Sequence, residues 1–462
     1  MDSILDRPTE FCGIVGIYGD ENASFSSYLS LHALQHRGQE SAGIAVSDGQ
    51  TVRKHLGMGL VSDVFSEQDL QKLKGHIAIG HNRYSTTGAS AELNIQPIVV
   101  RYKDGELGIG HNGNLTNSQT LRRKLEARGS IFQTTSDSEV ILHLVAKSLE
   151  ESLIDSIKDA VRQIEGAFSL VFLTRDKLIV VRDPYGFRPL ALGKMGNSYV
   201  VASETTAFDL LGAEYIRDVE KGEMIVFDEQ GMHVFHPFPR CEAAHCVFEF
   251  VYFSRPDSRI FGEYVDKTRR KLGKNLALEN DVEADIVISV PDSSNTTALG
   301  FSARSSLKYE IGLIRNHYIG RTFIKPTQKT RASSVKLKFN TVGGVLKDRR
   351  VVIVDDSIVR GTTLKKLVQT IREAGAREVH LRISSPPIKN PCFYGMNFPT
   401  HEELIANQRS VDEICEYLGA DSLKYLSIKG MIDSMPADQG QGYCTACFSG
   451  IYPLKVKDLE EK

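Results

Sequence analysis

The chain has 462 residues, 41% of them hydrophobic and 25% charged, a composition typical of soluble globular proteins. This length suggests two or three domains. Its 56 lysines and arginines nearly balance 58 aspartates and glutamates, and the net charge of −2 excludes a globally basic nucleic-acid binder and a strongly acidic disordered chain. No apolar run reaches the roughly 18 residues of a membrane span. The N-terminal stretch lacks the pattern of a secretory signal and the seven cysteines are thinly spread, so we expect a cytoplasmic protein.

The first half of the chain, up to about residue 240, predicts antiparallel sheets. Short β-branched runs end there in turns that contain glycine or asparagine. The predicted strands are residues 12–18, 43–46, 76–80, 107–110, 167–173 and 178–181. Apolar residues at helical spacing predict helices at about 26–35 and 138–149. Mostly strands with a few helices predict sheets with helices on their outer faces.

The second half has a different pattern. Residues 286–290 form an apolar strand that enters a turn rich in helix-capping residues. Further along, strand 351–354, loop 355–363, helix 364–374 and strand 379–383 follow one another. Strand, loop, helix and strand form a βαβ unit, which predicts a parallel sheet. Residues 236–241 are expected to link the two halves.

The densest chemistry lies in VVIVDDSIVRGTT, residues 351–363. Asp355 and Asp356 come at the C-terminal end of a buried strand, the edge where open α/β sheets bind ligands. The next residues supply hydroxyls and backbone N–H groups at a helix N-terminus, which attracts anions. A lone Asp-Asp pair would more simply be solvated, but two carboxylates beside such a cradle suit Mg²⁺ or sugar hydroxyls.

Cys12 opens the first predicted strand, after eleven residues without a packing pattern. As a core residue it would be small and buried. If residues 1–11 are removed, Cys12 instead carries the α-amino group of the chain. That amine can act as the general base for its own thiol.

Cys444 and Cys447 form a C-x-x-C pair, which by itself fits a redox site, a zinc site or neither. Zinc usually needs a second close pair, which this sequence lacks. Iron–sulfur clusters take four thiolates that can come from distant segments. The remaining cysteines are Cys241, Cys246, Cys392 and Cys415, and Cys415 falls in a helix-like run, 403–418, where we expect a core residue.

Several strings, taken in chain order, resemble one family. HALQHRGQESAG (32–43), GHNRYSTTG (80–88), GHNGNL (110–115), TSDSE (135–139) and RDPYGFRPLALG (182–193) resemble the glutamine amidotransferase half of the N-terminal-nucleophile hydrolases. VVIVDDSIVRGTT resembles the phosphoribosyltransferase signature. Together they resemble the glutamine phosphoribosylpyrophosphate (PRPP) amidotransferases over about residues 12–450, in the form with a propeptide and an iron–sulfur cluster.

The resemblance implies a two-domain α/β and α+β fold. An N-terminal-nucleophile hydrolase αββα sandwich would be followed by a type I phosphoribosyltransferase domain with a parallel sheet. The implied borders are 1–11 for a propeptide, 12–240 for the glutamine amidotransferase domain, 241–450 for the phosphoribosyltransferase domain with the iron–sulfur ligands, and 451–462 for a C-terminal tail.

In the first half, the resemblance implies that Cys12 attacks the side-chain amide of glutamine. Arg83 would bind the α-carboxylate and Asp137 the α-ammonium of glutamine. Asn112 and the Gly113 N–H would form the oxyanion hole. Asn-Gly is also a strong hairpin-turn signal, and a turn at this position is compatible with the oxyanion hole because a turn exposes N–H groups.

In the second half, the resemblance implies a PRPP site, Mg²⁺ and one [4Fe–4S] cluster. The implied PRPP-binding residues are Asp355, Asp356, Ser357, Arg360, Gly361, Thr362, Thr363 and Lys325. Ser293, Asp355 and Asp356 would lie near Mg²⁺. The cluster would bind to Cys246, Cys392, Cys444 and Cys447, with Cys241 as the nearest competitor.

The implied reaction transfers the amide nitrogen of glutamine to C1 of PRPP, giving 5-phosphoribosylamine, glutamate and pyrophosphate in the first committed step of purine synthesis. Purine nucleotides are expected as feedback inhibitors and a homodimer or homotetramer as the assembly, without nucleic-acid or membrane partners. One alternative is another amidotransferase of the same class, which would lack the phosphoribosyltransferase string. A second is a non-catalytic PRPP-sensing regulatory protein, which would have no use for Cys12 with Arg83, Asn112 and Asp137.

Overall fold

The structure, a computed structural model, describes residues 12–84, 92–316, 339–396, 400–436 and 442–454. The expected propeptide, 1–11, and Lys325 lie outside the described residues. Among the described residues, no helix combines the length and the hydrophobicity needed to cross a membrane.

The first half is a double antiparallel sheet. Its strands are β1 Gly13–Tyr18, β2 Ser41–Ser47, β3 Val52–Met58, β4 Ile77–Arg83, β5 Ile98–Tyr102, β6 Gly105–Leu115, β7 Gly166–Leu173, β8 Leu178–Arg182, β9 Ala191–Met195, β10 Ser198–Ala202, β11 Glu214–Asp218, β12 Met224–Asp228 and β13 Gly231–Phe235. One sheet has the order β11-β9-β10-β1-β4-β2-β3 and the other β13-β12-β8-β7-β6-β5.

Helices cover the outer face of each sheet. They are α1 Ala23–Ala33, α2 Val61–Val64, α3 Glu67–Lys72, α4 Ser118–Glu126, α5 Ser138–Lys147, α6 Leu153–Gln163 and α7 Thr206–Leu211, with a 3₁₀ turn at Glu92–Asn94. Strand β7 is buried along its whole length because Val171 and Leu173 pack against the other sheet while Phe168 and Phe172 pack under α5 and α6. The layers are therefore helix, sheet, sheet, helix, as the resemblance implied.

The second half contains a five-stranded parallel sheet. Its strands and those around it are β14 His245–Cys246, β15 Arg259–Ile260, β16 Glu263–Tyr264, β17 Ile286–Ser289, β18 Lys308–Tyr309, β19 Leu313–Arg315, β20 Phe339–Thr341, β21 Arg350–Asp355, β22 Glu378–Ile383, β23 Ser422–Tyr425 and β24 Tyr443–Cys444. The parallel sheet has the order β18-β17-β21-β22-β23.

Both faces of this sheet are buried by helices. The helices are α8 Val265–Glu279, α9 Asn295–Ser305, α10 Gly343–Leu346, α11 Thr362–Glu373, α12 Ile405–Gln408, α13 Val411–Leu418, α14 Ile428–Ile432 and α15 Ala446–Ser449, with a π-helical turn at Glu249–Phe253 and a 3₁₀ turn at His401–Glu403. On β21, Val352 and Val354 share a core with α8 and α9, whereas Val351 and Ile353 share one with α11 and α13. This two-sided burial explains the uninterrupted apolar run that predicted the strand.

One predicted element was wrong. The run 403–418 is not a single helix, because α12 ends at Gln408 and α13 starts anew at Val411. Ser410 begins the second helix with a capping box: its Oγ accepts from the Glu413 N–H, and its own N–H donates to the Glu413 carboxylate. Cys415, on α13, packs at the edge of the core as expected.

Candidate active sites and their connection

Cys12 lies directly before β1 and is buried. Strand β1 pairs antiparallel with β4, whose last residue is Arg83. The Cys12 Sγ donates a weak hydrogen bond to the Tyr84 carbonyl oxygen at 3.7 Å, and Arg37 Nε donates to the Cys12 carbonyl oxygen at 3.1 Å. The residue is therefore held through both its side chain and its backbone.

Asn112 and Gly113 lie beside the start of β1. Ser203 Oγ accepts from Asn112 Nδ2 at 3.5 Å and from the Ile14 N–H at 3.0 Å, which joins the two strands. Gly113 has a φ of +152°, and a Cβ there would lie 1.9 Å from the Ala167 carbonyl oxygen, so only glycine fits. Both residues are inside β6, Gly105–Leu115, so the prediction of a hairpin turn is wrong.

The two residues expected to bind the α-groups of glutamine already have partners. Arg83 Nη1 donates to Glu40 Oε1 at 2.8 Å. Asp137 precedes α5, and its Oδ2 accepts from the Leu115 N–H at 3.0 Å. Burial alone would raise the pKa of Asp137, but the nearby His111 and the hydrogen bonds hold that pKa below its ordinary value. Asp137 is therefore a buried carboxylate beside the end of β6.

The acid pair of the second half lies at the carboxyl edge of the parallel sheet. Strands β17 and β21 are parallel neighbours, so the loops after them meet. Ser293 Oγ and Ser357 Oγ each donate to Asp356, at 2.6 Å, and Ser294 Oγ donates to Asp355 Oδ1 at 3.2 Å. The structure thus places Ser293 against the acid pair although 62 residues separate Ser293 from Asp355 (355 − 293).

The predicted phosphate loop ends at the first turn of α11. Gly361, with a φ of +76°, is the N-cap and provides no side chain to bond the first N–H groups, which begin with Thr362 and Thr363. Such a helix start attracts an anion. Arg360 instead pairs with Glu403, with Nη2 3.1 Å from Oε1, so this pair would have to open for Arg360 to bind a phosphate.

Four cysteines meet where the two halves join. Strands β14 and β24 are parallel, with Cys246 opposite Cys444. The Cys447 carbonyl accepts from the Lys389 and Asn390 N–H groups, which brings in the segment that carries Cys392. All seven cysteines of the chain are described, and none forms a disulfide.

Burial and the neighbouring thiols act together on this group. Burial raises the pKa of Cys246 to about 12, and it also raises those of Cys392, Cys444 and Cys447. The pKa of Cys444 is raised further by Cys246 and Cys392, and that of Cys447 by all three other cysteines of the group. Arg188 acts in the opposite direction and lowers the pKa values of Cys246, Cys392 and Cys444. Within the described ranges, no three His, Cys, Asp or Glu side chains lie close enough to hold a single metal ion.

The cysteine segment also contacts the first half. Asn114 Nδ2 donates to the Phe393 carbonyl oxygen at 2.9 Å. Gly395 lies so close that a Cβ there would be 3.0 Å from Arg188 Nη2 and 3.2 Å from the Gly113 carbonyl carbon. The residues after Cys392 therefore pack directly on the strand that carries the expected oxyanion hole.

Comparisons with known proteins agree with this architecture. The family model "Glutamine amidotransferase domain" matches residues 81–210, and "Phosphoribosyl transferase domain" matches residues 282–384. Amidophosphoribosyltransferase 1, chloroplastic, of Arabidopsis thaliana is 52% identical over 459 residues, which cover 99% of this chain and 81% of that relative. The amidophosphoribosyltransferase of Bacillus subtilis (strain 168) is 49% identical over 451 residues, covering 97% and 95%. This chain belongs to the amidophosphoribosyltransferase family.

A solved structure supports the same conclusion for the fold. The glutamine PRPP amidotransferase from B. subtilis, complexed with ADP and GMP, matches this chain with a TM-score of 0.92 and 48% identity, over 96% of this chain and 98% of that one. The expected two-domain fold and the expectation of an enzyme are confirmed. The two alternatives, a non-catalytic regulatory protein and another amidotransferase of the same class, are thereby rejected.

The expected residues thus gather in two places. In the first half, Asn112 and Gly113 lie beside the start of β1, next to Cys12, while Arg83 ends β4 and Asp137 precedes α5. In the second half, Ser293 joins Asp355 and Asp356. The residues that sequence reasoning missed are Glu40, Arg37 and Glu249. The first two stand in the HRGQE string that was quoted only for its resemblance, and Glu249 stands three residues after Cys246.

Proposed function

We propose that this chain carries out the reaction of its family at two sites, one in each half. As an amidophosphoribosyltransferase it moves the amide nitrogen of glutamine to PRPP and releases glutamate and pyrophosphate. The observation that carries this assignment is the place of Cys12, buried at the start of β1 with Arg83 on the adjoining strand. The acid pair Asp355–Asp356 lies apart, on the parallel sheet.

At the first site, the Cys12 thiol attacks the side-chain amide carbon of glutamine. Its α-amino group takes the thiol proton and returns it to the leaving nitrogen, so ammonia departs and a glutamyl thioester remains for water to hydrolyse. Asn112 Nδ2 and the Gly113 N–H stabilise the negative oxygen of the tetrahedral intermediate. Arg83 and Asp137 bind the α-carboxylate and the α-ammonium, and Glu40 keeps Arg83 in place until glutamine arrives.

At the second site, the lone pair of ammonia attacks C1 of PRPP and pyrophosphate leaves. Asp355 and Asp356 accept hydrogen bonds from the ribose hydroxyls, while the loop of Ser357, Gly361, Thr362 and Thr363 binds the 5-phosphate. Two carboxylates with a serine hydroxyl, Ser293, fit Mg²⁺, which is usually held by one or two carboxylates together with substrate phosphates. Mg²⁺ neutralises charge on the leaving pyrophosphate when it is bound. Arg360 and Lys325 complete the expected phosphate contacts.

The test compares pyrophosphate release from PRPP and Mg²⁺ with glutamine or with ammonium as the nitrogen donor. We expect both donors to support release by the unaltered protein. C12A should abolish release with glutamine and leave release with ammonium within about twofold, because the phosphoribosyl site is intact. Glutamine-dependent release by C12A would overturn the assignment of the nucleophile.

We also propose one [4Fe–4S] cluster on Cys246, Cys392, Cys444 and Cys447. The donor set fits: three buried cysteines and the partly buried Cys392 converge, each with a raised pKa, and iron favours the thiolate form that burial alone opposes. Four irons spread their thiolates more widely than one ion does, which agrees with the failure of any three to form a single-ion site among the described residues. Bound there, the cluster ties β14 and β24 to the segment after Cys392.

Iron and sulfide analysis of anaerobically purified protein tests the cluster. The unaltered protein and the control variants C241S and C415S should contain about four irons and four sulfides per chain. C447S should contain almost none. Full iron content in C447S, or loss of iron in C241S, would reject this ligand set.

The remaining expectations are proposals too. We place the border between the halves at 240/241, in the connection between β13 and β14, and keep residues 1–11 as a propeptide. The expected tail, 451–462, is docked at its start, because Tyr452 and Leu454 hydrogen-bond to the main chain of Pro391 and the Tyr394 hydroxyl. We propose the cytoplasm, because a thiol nucleophile and thiolate ligands must stay reduced.

Purine nucleotides are proposed inhibitors of a homodimer or homotetramer. A B. subtilis relative was solved with ADP and GMP, and a second solved relative, 48% identical with a TM-score of 0.92, is described as the allosteric regulatory enzyme of purine biosynthesis. ADP and GMP should therefore lower pyrophosphate release with either donor.

A further inference from the structure

A buried carboxylate from the second half reaches the first half beside Cys12. Glu249 opens the π-helical turn Glu249–Phe253 and is completely buried. Its Oε1 and Oε2 accept hydrogen bonds from Arg37 Nη2 at 2.9 Å and Arg37 Nη1 at 3.0 Å. A two-point contact between carboxylate and guanidinium is strong and directional, so Glu249 sets both the place and the plane of Arg37.

Arg37 in turn holds the backbone of Cys12. Its Nε donates to the Cys12 carbonyl oxygen at 3.1 Å, and its Nη1 also donates to Glu204 Oε1 at 2.5 Å. The guanidinium is planar and rigid, so the two glutamates that fix its plane also fix the direction of the Nε–H bond. Only two contacts therefore separate a carboxylate of the second half from the proposed nucleophile.

A second arginine, Arg188, also contacts Glu249. Arg188 Nη1 lies 3.3 Å from Glu249 Oε1, and Arg188 Nη2 donates to the Tyr394 carbonyl oxygen at 2.6 Å. Two arginines thus face two glutamates, Glu204 and Glu249, in the seam between the halves. These charged residues join the two halves, but the bond from Arg37 Nε to the Cys12 carbonyl oxygen lies within the first half and does not contribute to that joining.

The N-terminal nucleophile gives that contact a use. Once residues 1–11 are removed, no preceding peptide restrains Cys12, so the contacts of its thiol and of its carbonyl oxygen become more important for its orientation. We propose that Glu249 is a positioning residue for the glutamine reaction: through Arg37 it orients Cys12 so that the thiol and the α-amino group both face the amide. The proposal rests on the proposed role of Cys12 and adds that the second half completes the glutamine site.

The variant E249Q tests this proposal in the full-length protein. Glutamine keeps the size of the side chain but turns one acceptor oxygen into a donor, so Arg37 loses its two-point partner. We expect kcat with glutamine to fall about 10- to 100-fold, KM for glutamine to change less than about threefold, and the ammonium-dependent rate to stay within about twofold. The rate of Cys12 alkylation by a glutamine-like diazoketone should fall in parallel with kcat.

S254A is the matched control. Ser254 Oγ donates to the same carboxylate, Glu249 Oε2, at 2.8 Å, so S254A removes one bond to Glu249 and leaves the glutamate itself in place to pair with Arg37. S254A should leave kcat with glutamine within about twofold of the unaltered protein, while it lowers thermal stability slightly. All rates are expressed per molecule with Cys12 at the N-terminus, as determined by intact mass.

R37K keeps the proposal testable if E249Q does not fold. Lysine retains the positive charge between the glutamates but lacks the Nε donor to the Cys12 carbonyl. We expect R37K to show the same selective loss of kcat with glutamine. E249D should have a higher kcat with glutamine than E249Q, because aspartate keeps the negative charge at this position.

The outcomes separate this proposal from the proposed function. If C12A abolishes glutamine-dependent release but E249Q and R37K both keep kcat within about twofold, Glu249 has no positioning role. If either variant lowers the glutamine and ammonium rates equally, the buried group is only structural, and the proposal is overturned. If C12A itself retains glutamine-dependent release, the nucleophile assignment fails first.

Discussion

The candidate phosphoribosyl site takes most of its residues from one uninterrupted run, 355–363, where a parallel strand ends and a helix begins. The candidate glutamine site instead collects Cys12, Asn112 and Asp137 from three separate parts of the chain, and we propose that it also needs Glu249 from the other half. One site is therefore local, and the other is assembled by tertiary contacts. A change in the local site should stop the reaction with every nitrogen donor, whereas a change in the assembled site should stop it with glutamine alone.

We expect D356N to cause the largest loss of pyrophosphate release, with glutamine and with ammonium alike. Both Asp356 oxygens accept from serine hydroxyls, and the asparagine amide would offer one of them a donor instead. Because Asp356 is proposed to bind the ribose, pyrophosphate release should fall about 100-fold or more with glutamine and with ammonium. The control is D285N, at the amino end of the same sheet, where the carboxylate pairs with Arg350. D285N should change neither rate more than about twofold. If D356N lowered the rate with only one of the two donors, the proposed division between the two sites would be wrong.

G113A should lower the glutamine-dependent rate almost as strongly but leave the ammonium-dependent rate unchanged. The added Cβ would lie 1.9 Å from a backbone oxygen, so β6 and β7 must move apart at the proposed oxyanion hole. We expect glutamine-dependent release to fall about 100-fold and the free energy of unfolding to drop by about 1–3 kcal/mol. G108A on the same strand, with its nearest neighbour 3.3 Å away, should change both quantities far less. Assays with both donors and denaturant titration measure these effects.

G395A tests the contact between the halves with a smaller change. A Cβ at residue 395 would lie 3.2 Å from the Gly113 carbonyl carbon, and the φ of +98° adds strain. We expect glutamine-dependent release to fall about three- to tenfold at an unchanged ammonium rate. G419A, with a φ of +71° and open space around it, supplies the strain without the contact. Equal effects of G395A and G419A would mean that strain alone explains the loss.

The last prediction concerns how the free energy of unfolding depends on pH through His81, a buried residue of β4. Burial lowers the pKa of His81 to about 3, so folded protein keeps it neutral while unfolded protein binds a proton below about pH 6.5. This contribution is present above pH 6.5 and is lost as the pH falls toward 3, by about 1.4 kcal/mol per pH unit. Denaturant titrations at pH 7, 6 and 5 should show a shallower pH dependence in H81Q. An unchanged slope would contradict a neutral, buried His81.

Much of the fold was predictable from the sequence because its signals are local. The run 351–354 belongs to a strand, β21, that is buried on both faces, and helix 364–374 was predicted within two residues of α11. The helix predicted at 403–418 was wrong because the capping box of Ser410 and Glu413 divides it. That signal is also local and was readable as a serine three residues before a glutamate.

For the candidate sites, too, local features were predictable from the sequence and long-range contacts were not. The sequence by itself determined the acid pair, the helix start after it and the list of candidate cysteines, because adjacent residues share one strand end or one turn. Only the tertiary structure decided that Arg83 meets Glu40, that Arg360 meets Glu403 and that Glu249 lies two contacts from Cys12. These partners are distant in the chain and charged, and a charged residue in a sequence is most often a solvated surface residue. Glu249 and Arg37 can act as positioning groups because they are buried at the interface between the two halves. No local sequence pattern predicts that interface.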